Sequence, residues 1–465
     1  MNRTLFSLAA KFGLFGLSLS LGMVSYLIVQ RLGTDEKTRS GRQGNLALLS
    51  SEIILDAEPH LLATTVAPVD AVGDALGVFY ILQANGELVR VSPEVGGGTS
   101  AAPYASLADE KTETTIGFSS LALHPNFLIK EDPGYGRFFV VLAEKPGAGA
   151  VDFIPEFGGC NEHHQDVLYE YTVDDPLLME FRGSRRELVR FRQPGPDHNV
   201  RGLAFDPNGL LYLGVGDGAA AEVGRNSPSG NASSLTSAYG KVLRIDPVGA
   251  NSRNGRYGIP DGNPFRLVTE ALPELWVFGL RAPHSLSYDP FQRGLCIAER
   301  AQSDREEINL SLHGGEHFGW DIAENSGSFN RLARARVAEI VTAPAVALDL
   351  HSGLVARTSG SVVYRGEQFP SLAGSLVIAS HDGQLLALRS GDKAEASGRL
   401  AKVDLGRFGE QRFSALRSGP RGELLFLCED GQVFEMRKGA SLGTGGAKQR
   451  AMFCAAGGVL ASGTL

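Results

Sequence analysis

Cysteine is scarce in this 465-residue chain, and its four copies, Cys160, Cys296, Cys428 and Cys454, lie far apart. With no C-x-x-C and no C-x-x-C-H, a c-type haem attached by the usual motif is excluded. Cys160 stands beside His163 and His164, but those are too few ligands at fixed spacing for structural zinc. Cys296 and Cys428 fall in apolar strand patterns and are read as buried small hydrophobes. Basic clusters are also lacking. The net charge is −8 with Lys and Arg scattered, which argues against nucleic acid as a partner. Charge is modest at 21% against 43% hydrophobic residues, so disorder is not expected for the bulk of the chain.

Long apolar runs are missing except at the start. Arg3 and Lys11 precede residues 12–29, which carry no charge and sit at the lower edge of a membrane span. No small-residue cleavage site of the A-x-A type precedes Gln30, so residues 1–29 are expected to form a signal anchor rather than a cleaved signal peptide. The positive-inside comparison is weak, because Arg31, Lys37, Arg39 and Arg42 follow the run. The expected organisation is an anchor or signal peptide at 1–29, a polar tether at 30–59, one folded unit at 60–438 and a flexible tail at 439–465. With no second span, the folded unit is expected wholly on one side, the exported one. The tail's GTGGAK has no strand and helix around it and is not read as a phosphate loop.

Glycine, by contrast, is abundant at 58 residues, as in a chain rich in turns. Helical periodicity is absent after the first segment, and short apolar strands ending in turn residues recur six times, at 78–91, 137–145, 210–218, 294–300, 375–388 and 424–436. Three of these units hold Asn85-Gly86, Asp382-Gly383 or Asp430-Gly431 between two apolar runs, the signature of hairpins. Six sheet units with irregular insertions predict an all-β fold, a six-bladed β-propeller, in which each sheet buries its face on the next. Loops at the channel ends would then form the site.

The stretch PDHNVRGLAFDPNGLLYLGVGDG (196–218) places an Asp-His pair ahead of an apolar strand. Leu203 to Phe205 and Leu210 to Val215 read as two short strands split by the turn Asp206-Pro207-Asn208-Gly209. Imidazole titrates near neutrality and a carboxylate can fix its tautomer, so His198 with Asp197 suits general-base work. Taken alone, such a pair is more often a surface histidine in a loop.

More of the chain bears on that choice. GFSSLALHPNF (117–127), HQDVLYEYTV (164–173), GKVLRIDP (240–247), YGIPDGNPF (257–265), PELWVFGLRAPHSLSYDP (273–290), EEINL from Glu306 and GGEHFGW ending at Trp320 occur in one order with similar spacing. Together with the 196–218 stretch they resemble the soluble quinoprotein glucose dehydrogenases, aldose sugar dehydrogenases and sorbosone dehydrogenase-like proteins, over about residues 60–438. The resemblance implies a propeller that holds pyrroloquinoline quinone (PQQ) with calcium and oxidises an aldose or related carbohydrate alcohol. It implies His198 as the base, Asp197 as the acidic residue before it, and Arg281 as the cation against negative charge on the quinone. Arg281 and Arg412 would bind the cofactor; metal ligands are not assigned. A separate quinone or cytochrome would take the electrons, the sugar being the other partner and the N-terminal segment the contact with the membrane. Trp320 and Glu306 are read as packing and blade-locking residues.

The chain also departs from that pattern. Ala282 replaces an Asn, His284-Ser285 a Gln-Gly, Arg201-Gly202 reverses a Gly-Arg, Thr115 stands for a Gln or Glu, and Ala301-Gln302 occupies a calcium-binding Gly-Pro step. The cofactor-holding Lys aligns with His381 and one Arg of a pair with Ser414. A tricarboxylate needs cations at its rim. Two functions therefore stand: a quinoprotein sugar dehydrogenase, or a cofactor-less propeller that binds a carbohydrate or protein partner.

Overall fold

The computed structural model describes residues 52–108, 114–157, 161–218, 230–300, 305–323, 341–350, 357–389, 399–404 and 411–439. The expected anchor, the tail beyond Gly439, Cys160, Cys454 and the Ala301-Gln302 step lie outside these residues. No described helix is long and apolar enough to cross a membrane.

The strands make six sheets. Two short N-terminal strands, β1 (Glu52–Ile54) and β2 (Ala57–Thr64), precede the first complete sheet, which is β3 (Pro68–Gly73), β4 (Phe79–Gln83), β5 (Glu87–Pro93) and β6 (Thr99–Ser106). The second is β7 (Thr115–Leu123), β8 (Arg137–Glu144), β9 (His164–Val173) and β10 (Gly183–Gln193), and the third β11 (Val200–Phe205), β12 (Leu211–Val215), β13 (Lys241–Ile245) and β14 (Leu275–Phe278). The fourth holds β15 (Pro283–Asp289), β16 (Gly294–Arg300), β17 (Arg305–Ser311) and β18 (Val346–Asp349), with a single helical turn, α1 (Trp320–Ala323), in its long insertion. The fifth is β19 (Thr358–Val363), β20 (Leu376–Ser380), β21 (Leu385–Arg389) and β22 (Arg399–Asp404), and the sixth begins with β23 (Phe413–Ser418), β24 (Leu424–Cys428) and β25 (Gln432–Lys438). Each sheet is a blade, and β3, β7, β11, β15, β19 and β23 touch in sequence around a closed ring, β23 meeting β3. The expected six-bladed propeller is what the chain forms.

Each of the six apolar units read from the sequence is the second strand of a different blade. Strands β4, β12, β20 and β24 are buried at every position rather than alternately. Blades stack face to face, so an inner strand is covered on both sides and reads as a continuous apolar run. Six hydrophobic clusters lie one at each interface between neighbouring blades. Cys296 and Cys428 sit in two of them, and burial pushes their thiols up to about 11 and about 12.

The ring closes through a strand that begins inside the expected tether, at Ala57, and continues into the expected folded unit. Strand β2 supplies the outer strand of the sixth blade, antiparallel to β25 with Ala57 opposite Lys438 and Thr64 opposite Gln432. Strand β1 adds to the fifth blade, parallel to β22. Among the described residues, sheet structure is thus already present at Glu52, ahead of the expected boundary at residue 60. At the inner end, Arg417 Nε on β23 donates to Asp70 Oδ1 on β3 at 2.6 Å, and Asp70 Oδ2 accepts from Leu121 N on β7 at 2.8 Å. One buried carboxylate joins the last, first and second blades.

Every innermost strand carries a register break near its start: Pro68/Asp70, Thr115/Gly117, Val200/Leu203, Pro283/Ser285, Thr358/Gly360 and Phe413/Ala415. A bulge leaves a residue unpaired and re-aims it. All six breaks lie at one end of the channel, the end that the next section builds from.

Removing one member of a buried ion pair costs about 3–5 kcal/mol, because the other is left uncompensated. Asp70→Ala is expected to lower stability by that amount in urea unfolding. A loss below about 1 kcal/mol would show that the closure does not depend on this carboxylate.

Candidate active site on the channel rim

His198 stands two residues before β11, on the rim where the innermost strands begin. Its φ is 59°, a left-handed conformation uncommon outside glycine. The backbone is held there by a close approach: a Cβ on Gly216 would lie 2.0 Å from the His198 carbonyl oxygen. Only glycine permits strand β12 to leave the sheet so near. Strain kept at one residue of a site commonly positions a functional group.

The carboxylate on His198 is Asp217. His198 Nδ1 lies 2.5 Å from Asp217 Oδ1, with the two side chains 11% and 6% exposed. Asp197, expected to orient the ring, is exposed and makes no contact with it among the described residues. The left-handed turn at His198 separates the neighbouring side chains, while the end of β12 brings Asp217 to the ring from 19 residues away. The local signal was present in GVGDG, which reads as a turn and contains a carboxylate at a strand end.

Asp217 also ties His198 to Arg281. Asp217 Oδ2 accepts from Trp320 Nε1 at 3.1 Å, and the Arg281 guanidinium lies 5.3 Å from the centre of the Trp320 ring. The Asp217 backbone N donates to the Arg281 carbonyl at 2.8 Å. Arg281 N in turn donates to the buried Glu299, which also accepts from Asn309. Trp320, read as packing, is therefore the link between the base candidate and the cation candidate. It opens α1 and is anchored by donating its backbone N to Gly279 O.

Beneath the rim lies an unusual cation. Lys241 is fully buried and donates from Nζ to the carbonyls of Asn231, Ala232 and Tyr239 at 2.7, 2.8 and 2.7 Å. Burial pushes it down to about 7, while three acceptors at donor distance call for the ammonium form. It pins the loop from which Asn231 Nδ2 donates to Asp217 O.

The remaining predicted residues lie on the rim but are not gathered into this chain of contacts. Arg412, just ahead of β23, is exposed. His381 Nε2 is 2.7 Å from Glu429 Oε1, and Ser414 Oγ donates to the Pro68 and Leu427 carbonyls. Glu306 accepts from Thr358 Oγ1 at 2.6 Å and lies 3.3 Å from His284 Nε2, joining the fourth and fifth blades as expected. Three buried rim oxygens, Thr115 Oγ1, Gln193 Oε1 and Asn199 Oδ1, have no hydrogen-bond partner among the described residues. A flat indole with the Arg281 guanidinium over it, and the exposed Arg412, fit a planar polyanion. No group of three or more His, Cys, Asp or Glu among the described residues forms a metal cluster.

The contact predicts a ring tautomer. Asp217 fixes a proton on Nδ1 and leaves Nε2 to accept one. Nitrogen NMR of the neutral ring is expected to show Nδ1–H in the native chain and in Asp197→Asn, and a mixture in Asp217→Asn. The same mixture in Asp197→Asn would restore Asp197 as the orienting group.

The profile of a family described as Glucose / Sorbosone dehydrogenase matches residues 175–435, more than half of the chain. Over 281 residues the chain is 28% identical to the aldose sugar dehydrogenase YliI of Escherichia coli (strain K12), covering 59% of this chain and 68% of that protein. It is 26% identical over 338 residues to the HIPL1 protein of Arabidopsis thaliana, covering 64% of this chain and 46% of the other, so it spans about half that relative's length. The PQQ-bound form of the aldose sugar dehydrogenase of Streptomyces coelicolor superposes with a TM-score of 0.53 at 17% identity, covering 82% of this chain and 98% of that one. That likeness is one of fold.

Proposed function

This chain belongs to the Glucose / Sorbosone dehydrogenase family, and from that premise we propose that it oxidises an aldose or related carbohydrate alcohol, with PQQ as hydride acceptor. The observation that carries the reading is the His198–Asp217–Trp320–Arg281 chain on one rim. His198 Nε2 takes the proton of the sugar hydroxyl. Asp217 keeps Nδ1 protonated and stabilises the imidazolium that results, as an orienting carboxylate does. Arg281, stacked on Trp320, holds positive charge where an oxygen gains electrons.

PQQ bound at the rim supplies the two-electron acceptor for the hydride that leaves the carbinol carbon. Arg281 and Arg412 would hold its carboxylates. Calcium belongs to the proposal by family alone, and no step is assigned to it. A separate quinone or cytochrome would take the electrons onward, since the given sequence carries no haem-attachment motif.

One observation favours a second reading, a propeller that binds a carbohydrate or protein without cofactor. His381 is engaged by Glu429 and Ser414 by backbone carbonyls, so two expected rim contacts are spent within the protein.

Calorimetric titration of PQQ with calcium into the full chain, followed by dye reduction on an aldose panel, separates the two. Tight binding with turnover is expected. His198→Gln is expected to keep PQQ affinity within a few fold and lower kcat by about 10²–10⁴. No binding at high micromolar PQQ would overturn the dehydrogenase and leave the binding propeller.

A further inference from the structure

Arg201 is the residue displaced by the register break of β11. Val200 pairs with Val215 and Leu203 with Leu213, so Arg201 and Gly202 together fall in the bulge. Their order is fixed by the backbone: Gly202 has φ 82°, and a Cβ there would meet Leu286 at 3.0 Å. An arginine fits only at the position before it.

The break on an innermost strand, with the residue left exposed to solvent, places Arg201 on the channel wall. Its guanidinium feels Arg417 and Asp70 on β23 and β3, Asp166 on β9 and Arg300 at the end of β16. Those residues belong to the sixth, first, second and fourth blades. Charges from four other blades act together on this third-blade residue, in keeping with a place on the channel wall. Arg201 is nevertheless exposed to solvent, as a group lining an open channel is.

Its acidic neighbours are already engaged. Asp70 binds Arg417 and Leu121 N. Asp166 accepts from Val200 N and Gln193 Nε2 at 2.7 Å each and faces His164. Arg201 itself has no hydrogen bond or ion pair among the described residues, and Arg300 reaches Glu306 only at 3.7 Å. Desolvation by the protein walls around the channel, which solvent still reaches, and then the like charges of Arg417 and Arg300 hold the Arg201 guanidinium below its usual range. A passage with an unpaired guanidinium on its wall and two further arginines nearby attracts anions, and guanidinium groups match carboxylates by geometry as well as charge.

We propose that Arg201, with Arg300, forms a carboxylate-binding site in the channel beneath the rim, reached from the His198 side. The carboxylate comes either from the polyanionic cofactor or from a sugar acid. The cofactor source rests on the dehydrogenase reading above; the sugar-acid source does not.

The test titrates PQQ, D-glucuronate and the neutral D-glucuronamide separately into the full chain and into Arg201→Gln and Arg201→Lys. The glutamine variant is expected to bind at least one of the two carboxylate ligands about tenfold to a hundredfold more weakly, with partial recovery in the lysine variant. Loss confined to PQQ assigns the site to the cofactor; loss confined to glucuronate assigns it to substrate. PQQ held equally by native chain and glutamine variant, with no glucuronate effect, overturns this site and leaves the dehydrogenase reading standing. Glucuronate held through Arg201 while PQQ does not bind does the reverse. A native chain that binds neither overturns both. Should the glutamine variant fail to fold, the native chain still decides the sugar-acid source, where glucuronamide binding as tightly as glucuronate excludes it, and Arg300→Gln takes the variant's place for PQQ, unchanged affinity excluding the cofactor source.

Discussion

A ring of sheets holds only while its first and last blades are joined, and in this chain the inner join centres on one buried carboxylate. Asp70 receives the guanidinium of Arg417 from the sixth blade and the backbone N of Leu121 from the second. Outside, β2 completes the sixth blade against β25. If the two ends part, the six innermost strands no longer converge, and the rim on which His198, Asp217, Trp320 and Arg281 meet has no fixed shape. The site is made of residues from separate parts of the chain, so its geometry is a property of closure.

The bulges explain where the chemistry can be. A regular innermost strand would pair every residue with its neighbour and show the channel only a repeating pattern. Each of the six breaks frees a residue near the opening. On the fifth and sixth blades hydroxyls at the breaks reach the next blade, Ser359 to Phe413 O and Ser414 to Pro68 O, and on the second Ser119, at a further break between Phe118 and Ser120, reaches Val200 O. On the third and fourth they present Arg201 and His284. One structural device therefore serves both to lock blades and to furnish the passage with charge.

The fold was largely legible because blade burial is written locally. A second strand covered on both faces is a short apolar run wherever it occurs, and six such runs with Gly-containing turns leave few architectures open. Closure was not legible: the pairing of Thr65 with Gly431 spans 366 residues, and β1 and β2 look like any polar segment until the strand they complete is in place. At the site, His198 and Arg281 could be found from motifs, whereas the pairing of His198 with Asp197 was wrong. Adjacency in sequence assumes an ordinary backbone, and the positive φ at His198 breaks that assumption. Trp320 was misjudged because its role depends on an insertion folding back on the third blade, where Phe278 bridges His317.

The closure strand also imposes an order on synthesis. Strand β2 leaves the ribosome early, yet its partner β25 follows some 366 residues later. At about 5–20 residues per second that interval is roughly 20 to 70 s, during which a strand with an unpaired edge waits beside growing blades. The nascent chain must therefore be kept from pairing with its neighbours until its last blade arrives. A message truncated anywhere before that blade yields an open ring whose sticky edge is displayed permanently.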